Sequence, residues 1–162
     1  MKKTHILLGS LLLLIMTSCN VGVNKDLLSG LKVTNNGLSY EEAYLSVAGQ
    51  KTTNTEFPLQ TEVNLIASGI KGYVIKDSLV YIGASLSVFD KDNKEVLNYP
   101  DLFAAYDSTG VSPVDAEVIT LTLTTGNPML AGESYIWKTR IWDKNGKGEI
   151  NTEVKISVKK TN

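Results

Sequence analysis

The sequence predicts an all-β protein: a single antiparallel β-sandwich of about seven strands. Three observations predict it. From residue 38 onward Thr, Val, Ile and Tyr are abundant, in short segments that alternate apolar and polar positions. Turn residues separate those segments. No long stretch carries amphipathic helical spacing, so apolar faces are left to be buried sheet against sheet.

The strands follow in order. Leu38 to Val47 is the first, with a bulge expected at Glu41-Glu42. Glu62 to Ile70 is the second and puts Val63, Leu65 and Ala67 on one face. Leu79 to Phe89 is the third, with Ile82, Ala84, Leu86 and Val88 together, and residues 94–98 add a short seventh strand. Glu117 to Thr124 alternates most cleanly, with Ile119, Leu121 and Leu123 facing in and Thr120, Thr122 and Thr124 facing out. Tyr135 to Trp142 groups Tyr135, Trp137, Thr139 and Ile141. Ile150 to Val158 groups Ile150, Thr152, Val154, Ile156 and Val158. Two turns set the pairing. Asp90 to Lys94 follows the third strand, and Asp143 to Gly148 joins the last two, with Asn145-Gly146 expected to supply the positive φ of a tight hairpin.

Ahead of the strands the chain reads as an address. Lys2 and Lys3 form a positive n-region, and Ile6 to Leu8 with Leu11 to Met16 form an apolar core. About 11 apolar residues fall short of the roughly 20 that span a bilayer. Residues 1–18 therefore read as a removable signal. Met16-Thr17-Ser18-Cys19 resembles the lipobox of bacterial lipoproteins. The resemblance implies cleavage before Cys19, a diacylglyceryl thioether on its sulfur and N-acylation, hence a firm lipid anchor. Asn20 follows, not Asp, which favours an outer-membrane address on its periplasmic or its surface face. Residues 19–37 carry Gly, Asn and Ser without sustained periodicity and are expected to be the lipidated Cys and a tether, leaving 38–160 as the sandwich.

One local pattern refines the fold. Leu130-Ala131-Gly132-Glu133-Ser134-Tyr135 precedes an alternating strand and resembles the tyrosine corner of immunoglobulin-like and fibronectin type III-like sandwiches. That resemblance implies a hydrogen bond from the Tyr135 hydroxyl to backbone just upstream, Leu130 packed beside it, and an Ig-like arrangement of the last two strands. Taken whole, the chain is similar to small Ig-like envelope lipoproteins of Bacteroidota. The similarity implies no catalytic residues.

The chemistry available narrows the function. His5 and Cys19 are the only His and Cys of 162 residues, and both precede the sandwich. Ser-His-Asp or Cys-His catalysis, His-ligated zinc and disulfides are therefore excluded from the folded part. The chain has 16 Lys+Arg and 17 Asp+Glu. Loss of Lys2 and Lys3 with the signal leaves 14 against 17, a net charge near −3. This is no polyelectrolyte surface for nucleic acid. Carboxylates remain as general acids or bases, but nearly all lie in turns or at outward strand positions. Paired-carboxylate chemistry needs two of them in a cleft. No enzyme activity, cofactor or metal is expected. Asp143, Asn145 and Glu149 superficially resemble a calcium loop, as do Asp90, Asp92 and Glu95. Lys147 in the first, and Lys91 with Lys94 in the second, interrupt the six to eight oxygens that calcium takes. Both read as turns.

Two groups are candidates for binding. Trp137 and Trp142 are five apart and so face opposite sides of one strand. Tyr135 in the corner selects Trp137 for the core and Trp142 for the outside, beside Lys138 and Arg140. Such a Trp with cations can stack on a sugar ring or anchor a protein interface, or be covered by the chain itself. The segment Tyr99 to Tyr106 is the most apolar outside the strands. It either caps the sandwich by burying Leu102 and Phe103 or presents Phe103 and Tyr106 as a contact patch. The expectation is a lipid-anchored cell-envelope lipoprotein acting as a non-catalytic binding or structural module. Its partners are the membrane, through the anchor, and a glycan or a protein. The alternatives are a carbohydrate-binding accessory lipoprotein and a subunit of an envelope adhesin, secretion or transport assembly.

Overall fold

Alternation turns into architecture because each strand can bury only one face. In the computed structural model, which describes residues 21–160, those buried faces meet between two sheets. The strands are β1 (Val21–Lys25), β2 (Lys32–Asn36), β3 (Glu42–Val47), β4 (Gln50–Thr52), β5 (Glu56–Phe57), β6 (Glu62–Ser68), β7 (Ile82–Phe89), β8 (Glu95–Tyr99), β9 (Val118–Thr124), β10 (Ser134–Asp143) and β11 (Glu149–Val158). A larger sheet runs β1-β2-β11-β10-β7-β8, with β5 added in parallel beside the end of β11. A smaller sheet runs β4-β3-β6-β9. Every pairing other than β5 with β11 is antiparallel among the described residues. The chain is thus the all-β sandwich expected, although eleven strands are described where about seven were anticipated.

The core lies between the sheets. Leu45, Val63, Leu65, Ala67, Ile119, Leu121 and Leu123 come from the smaller sheet. Val33, Ile82, Ala84, Leu86, Val88, Trp137, Ile141, Ile150, Val154 and Ile156 come from the larger. In β9 buried and exposed residues alternate without a break, as its pattern predicted. The Trp137 side chain is fully buried, and among the described residues its indole N–H has no hydrogen-bond partner. Thr139 and Thr152 solve the same problem differently, since their buried hydroxyls bond each other across β10 and β11 at 2.9 Å.

The tyrosine corner is present. The Leu130 N–H donates to the Tyr135 hydroxyl at 2.7 Å, and Tyr135 is buried. The Leu130 side chain, expected beside the ring, is largely exposed. The β10–β11 turn departs from expectation. Neither Asn145 nor Gly146 takes a positive φ. The Asp143 carboxylate organises this turn by accepting the Asn145 N–H at 2.9 Å. In the 90–94 turn the Asp90 carboxylate accepts the Asp92 and Lys94 N–H groups, both at 2.9 Å. These are turn bonds, as the residue pattern predicted.

The largest difference concerns residues 21–36, expected as a tether. They form a hairpin that completes the larger sheet: β2 pairs with β11 and β1 pairs with β2. Leu31 and Val33 are 1% and 4% exposed, so this hairpin belongs to the folded unit. Its turn is held by Asp26, whose carboxylate accepts the Leu28 N–H at 2.8 Å and the Ser29 hydroxyl at 2.9 Å. Those bonds, the Leu28 N–H first, hold the Asp26 carboxyl below its usual range. The expected signal (residues 1–18) and Cys19 lie outside the described residues.

Candidate functional site

The outward face of the larger sheet is assembled by cross-strand register, because residues directly opposite share a face. One row reads Val21, Asn36, Glu149, Trp142, Gly83 across β1, β2, β11, β10 and β7. The next reads Val23, Thr34, Asn151, Arg140, Ser85. A third reads Lys25, Lys32, Glu153, Lys138, Ser87 and continues to Asn98 on β8. Small side chains at 85, 87 and 34, between the long ones of Lys32, Lys138 and Arg140, leave an open groove of about 240 Å³. Asn151 and Glu153 also line it.

Two cations of this face, Arg140 and Lys138, are paired. Arg140 donates through Nε and Nη2 to one oxygen of Glu149, each at 2.8 Å. The other oxygen of Glu149 accepts from the Asn151 amide at 3.2 Å. Lys138 lies 3.4 Å from Glu153 and 5.1 Å from the centre of the Phe89 ring. Lys25 and Lys32 stand side by side on β1 and β2, and neither forms an ion pair among the described residues. The groove is a floor of hydroxyls and an amide between two ion pairs, with the Lys32 ammonium at its side, which suits a hydrogen-bonding ligand.

Trp142 is on the outward face, as expected, but it does not stand free. Its indole lies on Gly83 of the neighbouring strand, where any Cβ would collide with the ring, and it is half-buried. The Arg140 guanidinium covers it at 5.0 Å from the ring centre. Of the three residues singled out on β10, Lys138 and Arg140 line the groove, while Trp142 stands beyond its end. Sequence reasoning missed Lys32, Thr34, Ser85, Ser87, Asn151 and Glu153. Their only signal was polarity at outward strand positions, and for Lys32 and Thr34 even the strand was not foreseen.

Phe103 and Tyr106 belong elsewhere, on the loop beyond β8. Phe103 is half-buried against the core, while Leu102 and Tyr106 are exposed. The two rings lie 6.0 Å apart with a 41° tilt. The segment is therefore part cap, through Phe103, and part exposed surface. Asp101 pins it by accepting the Phe103 N–H at 2.9 Å and meeting Lys144 at 2.5 Å. Lys144 also bonds Asp107. Partial burial acts to raise the Asp101 carboxyl pKa. The bonds from Lys144 and from the Phe103 and Ala84 N–H groups outweigh it and hold that carboxyl below the usual range. Lys144 is displaced upward: desolvation opposes its charge, and Asp101 and Asp107 more than compensate.

Beneath this loop the Asp143 carboxylate is buried and accepts the Val74 N–H at 2.7 Å. The Tyr73 hydroxyl nearby is buried with no partner among the described residues. Burial first, and the Asp143 charge second, push its titration far above the usual phenol range. Tyr73 also lines a small open pocket of about 150 Å³ with Ile70, Ile75, Val80, Pro113 and Glu117. Among the described residues no three His, Cys, Asp or Glu side chains are placed to hold a metal ion.

No protein-family model matches the chain, and no curated protein matches it. Among solved structures it is similar to the C-terminal domain of Wzt, with a TM-score of 0.50 and 10% identity over 78% of this chain and 75% of that one. It is also similar to chicken MD-1 complexed with lipid IVa, with a TM-score of 0.34 and 10% identity over 86% of this chain and 99% of that one. At such identity the Wzt likeness is one of fold alone.

Proposed function

We propose that the chain is a cell-envelope lipoprotein, anchored to the outer membrane through acylated Cys19, whose sandwich is a non-catalytic binding module for a glycan. The groove supports this reading. Its Ser85, Ser87, Thr34 and Asn151 present hydroxyls and an amide, flanked by ion-paired Lys138 and Arg140. Sugars offer many hydroxyls, which match a surface of hydrogen-bond donors and acceptors. Trp142 flanks the groove and reaches a sugar ring once Arg140 swings aside.

A glycan array probed with the mature chain tests the reading. Binding is expected, with loss of about 2 kcal/mol or more for Asn151→Ala or Arg140→Ala if these are anchors. Absence of binding to every glycan rejects it. The anchor has its own test: Cys19→Ser abolishes acylation and releases the chain from the membrane fraction, and a variant that still fractionates with membranes overturns the lipoprotein reading.

The alternative, a subunit of an envelope assembly, is favoured by one observation: the exposed Leu102 and Tyr106 on a loop held in place by Lys144. Capture of a defined membrane protein, lost in Leu102→Asp with Tyr106→Asp, supports that alternative over the glycan.

A further inference from the structure

The sandwich has two ends, and strand direction decides which loops share one. β1 begins at Val21, opposite Asn36 at the end of β2, and the same row continues through Glu149 and Trp142 to Gly83. Val21 therefore lies at the end where β10 finishes and β7 begins. Loops 69–81, 100–117 and 143–148 lie there too. The Val74 N–H reaches Asp143, the Lys144 N–H reaches the Tyr81 carbonyl at 2.8 Å, and Lys144 binds Asp101 and Asp107. This end carries Val21, Val74, Ile75, Tyr99, Leu102, Tyr106, Val114 and Val118 as exposed large apolar or aromatic residues. The opposite end carries Leu27, Leu28, Leu59 and Leu130.

We propose that the end bearing Val74, Ile75, Leu102, Tyr106 and Val114 rests on the bilayer that holds the acyl chains of Cys19. This inference rests on the lipoprotein reading. Cys19 is two residues from Val21, so its Cα is at most about 7 Å from the point where β1 enters the sheet. A leash that short, entering one end of a folded sheet, leaves no room for a flexible tether to carry the domain away from the lipid. Apolar side chains at a membrane surface settle about 5–10 Å into the headgroup boundary, and Tyr prefers that boundary because its ring is apolar and its hydroxyl is wet. The ionic tie of Lys144 to Asp101 and Asp107 holds the 100–107 loop in place and keeps three charges occupied with each other on this side. The glycan groove then opens sideways along the sheet face, while Leu27 and Leu28 point away from the membrane.

The test uses the full acylated chain in vesicles of phosphatidylethanolamine and phosphatidylcholine. Single cysteines at Ile75→Cys, Tyr106→Cys, Leu28→Cys and Leu59→Cys carry a nitroxide, and collision with oxygen is compared with collision with a water-soluble nickel chelate. The expected result is an oxygen-to-nickel ratio several-fold higher at 75 and 106 than at 28 and 59. Equal, water-like ratios at all four positions overturn the inference, as does immersion at 28 and 59. Intact mass separates this from failure of the anchor. An acylated Cys19 leaves one thiol and one nitroxide. Two nitroxides and no acyl mass show that Cys19 is free, which overturns the anchor and this inference together.

Discussion

The two faces of β10 have similar length and opposite character. Inward, Tyr135, Trp137, Thr139, Ile141 and Asp143 are all buried, and each polar atom is bonded except the Trp137 indole nitrogen. Outward, Lys138 and Arg140 are exposed, and their partners Glu153 and Glu149 lie on the next strand. The inner face derives its energy from excluded water and the outer one from screened charge. The first is worth several kcal/mol per large side chain and the second at most about 1 kcal/mol per exposed pair. Stability therefore lives on one side of the strand, which leaves the other free to carry binding.

Substitutions break this comparison in order of size. Trp137→Ala should cost about 3–5 kcal/mol in urea unfolding, a large share of a domain's total of about 5–15. Trp137→Phe should cost clearly less, because it keeps a ring in the core and removes an N–H that has no partner. A Trp137→Phe variant as unstable as Trp137→Ala would mean the indole nitrogen is bonded after all.

Tyr135→Phe deletes only the hydroxyl and leaves the Leu130 N–H without its acceptor. The expected loss is about 1–3 kcal/mol. A change near zero would place that N–H in water, and the corner would then be decorative.

Trp142 lies between the two regimes. Half-buried on Gly83 and covered by Arg140, it should cost about 1 kcal/mol on conversion to Ala, less than Trp137. Gly83→Ala is the sharper experiment, since the added methyl evicts the indole. Iodide quenching of Trp142, measured in the Trp137→Phe background, should rise in that variant. Unchanged quenching would show that the ring does not lie on Gly83.

The smallest effect is ionic. Lys144→Ala should cost about 0.5–1 kcal/mol. Its signature is pH dependence. The Asp101 carboxyl is displaced below its ordinary 3.8, so its contribution is present above that value and is lost as acid takes the pH down through the displaced one. Lys144 is displaced above its ordinary 10.5, so its contribution is present below 10.5 and is lost as the pH rises through the displaced value. The difference in stability between parent and Lys144→Ala should therefore be flat between about pH 4 and 10 and shrink outside it. A slope near pH 7 would implicate another group.

Legibility in the sequence followed the same division. β6, β7, β9, β10 and β11 were readable because each has one face against the core, and that face repeats every second residue. β1 was not, because it is an edge strand with Val21 and Val23 exposed and no inward face to leave a pattern. β2 buries Val33, but its other inward position is Asn35, whose amide donates to the Leu38 carbonyl. A polar residue with a backbone partner looks like loop in the sequence. β4 and β5, at three and two residues, are too short to repeat anything. Lys138 and Arg140 were found on the groove because they flank a Trp on a readable strand. Their neighbours across the sheet come from residues up to about a hundred positions away and share no local motif.

What the sequence determined by itself is local. It set the all-β class, the inward residues of the long strands, the Tyr135 corner and the absence of His and Cys from the described domain, because each depends on a residue's own chemistry or on neighbours within a few positions. Tertiary structure decided the rest. Register brought Thr34, Ser85, Lys138, Arg140 and Asn151 onto one groove, seated Trp142 on Gly83, and placed Val21 at the same end as loops 69–81 and 100–117. The physical reason is that side-chain alternation assigns a residue to a face at no cost in range. Which residue lies beside it is set by hydrogen-bonded pairing between distant strands, and that pairing is chosen by how the whole core packs.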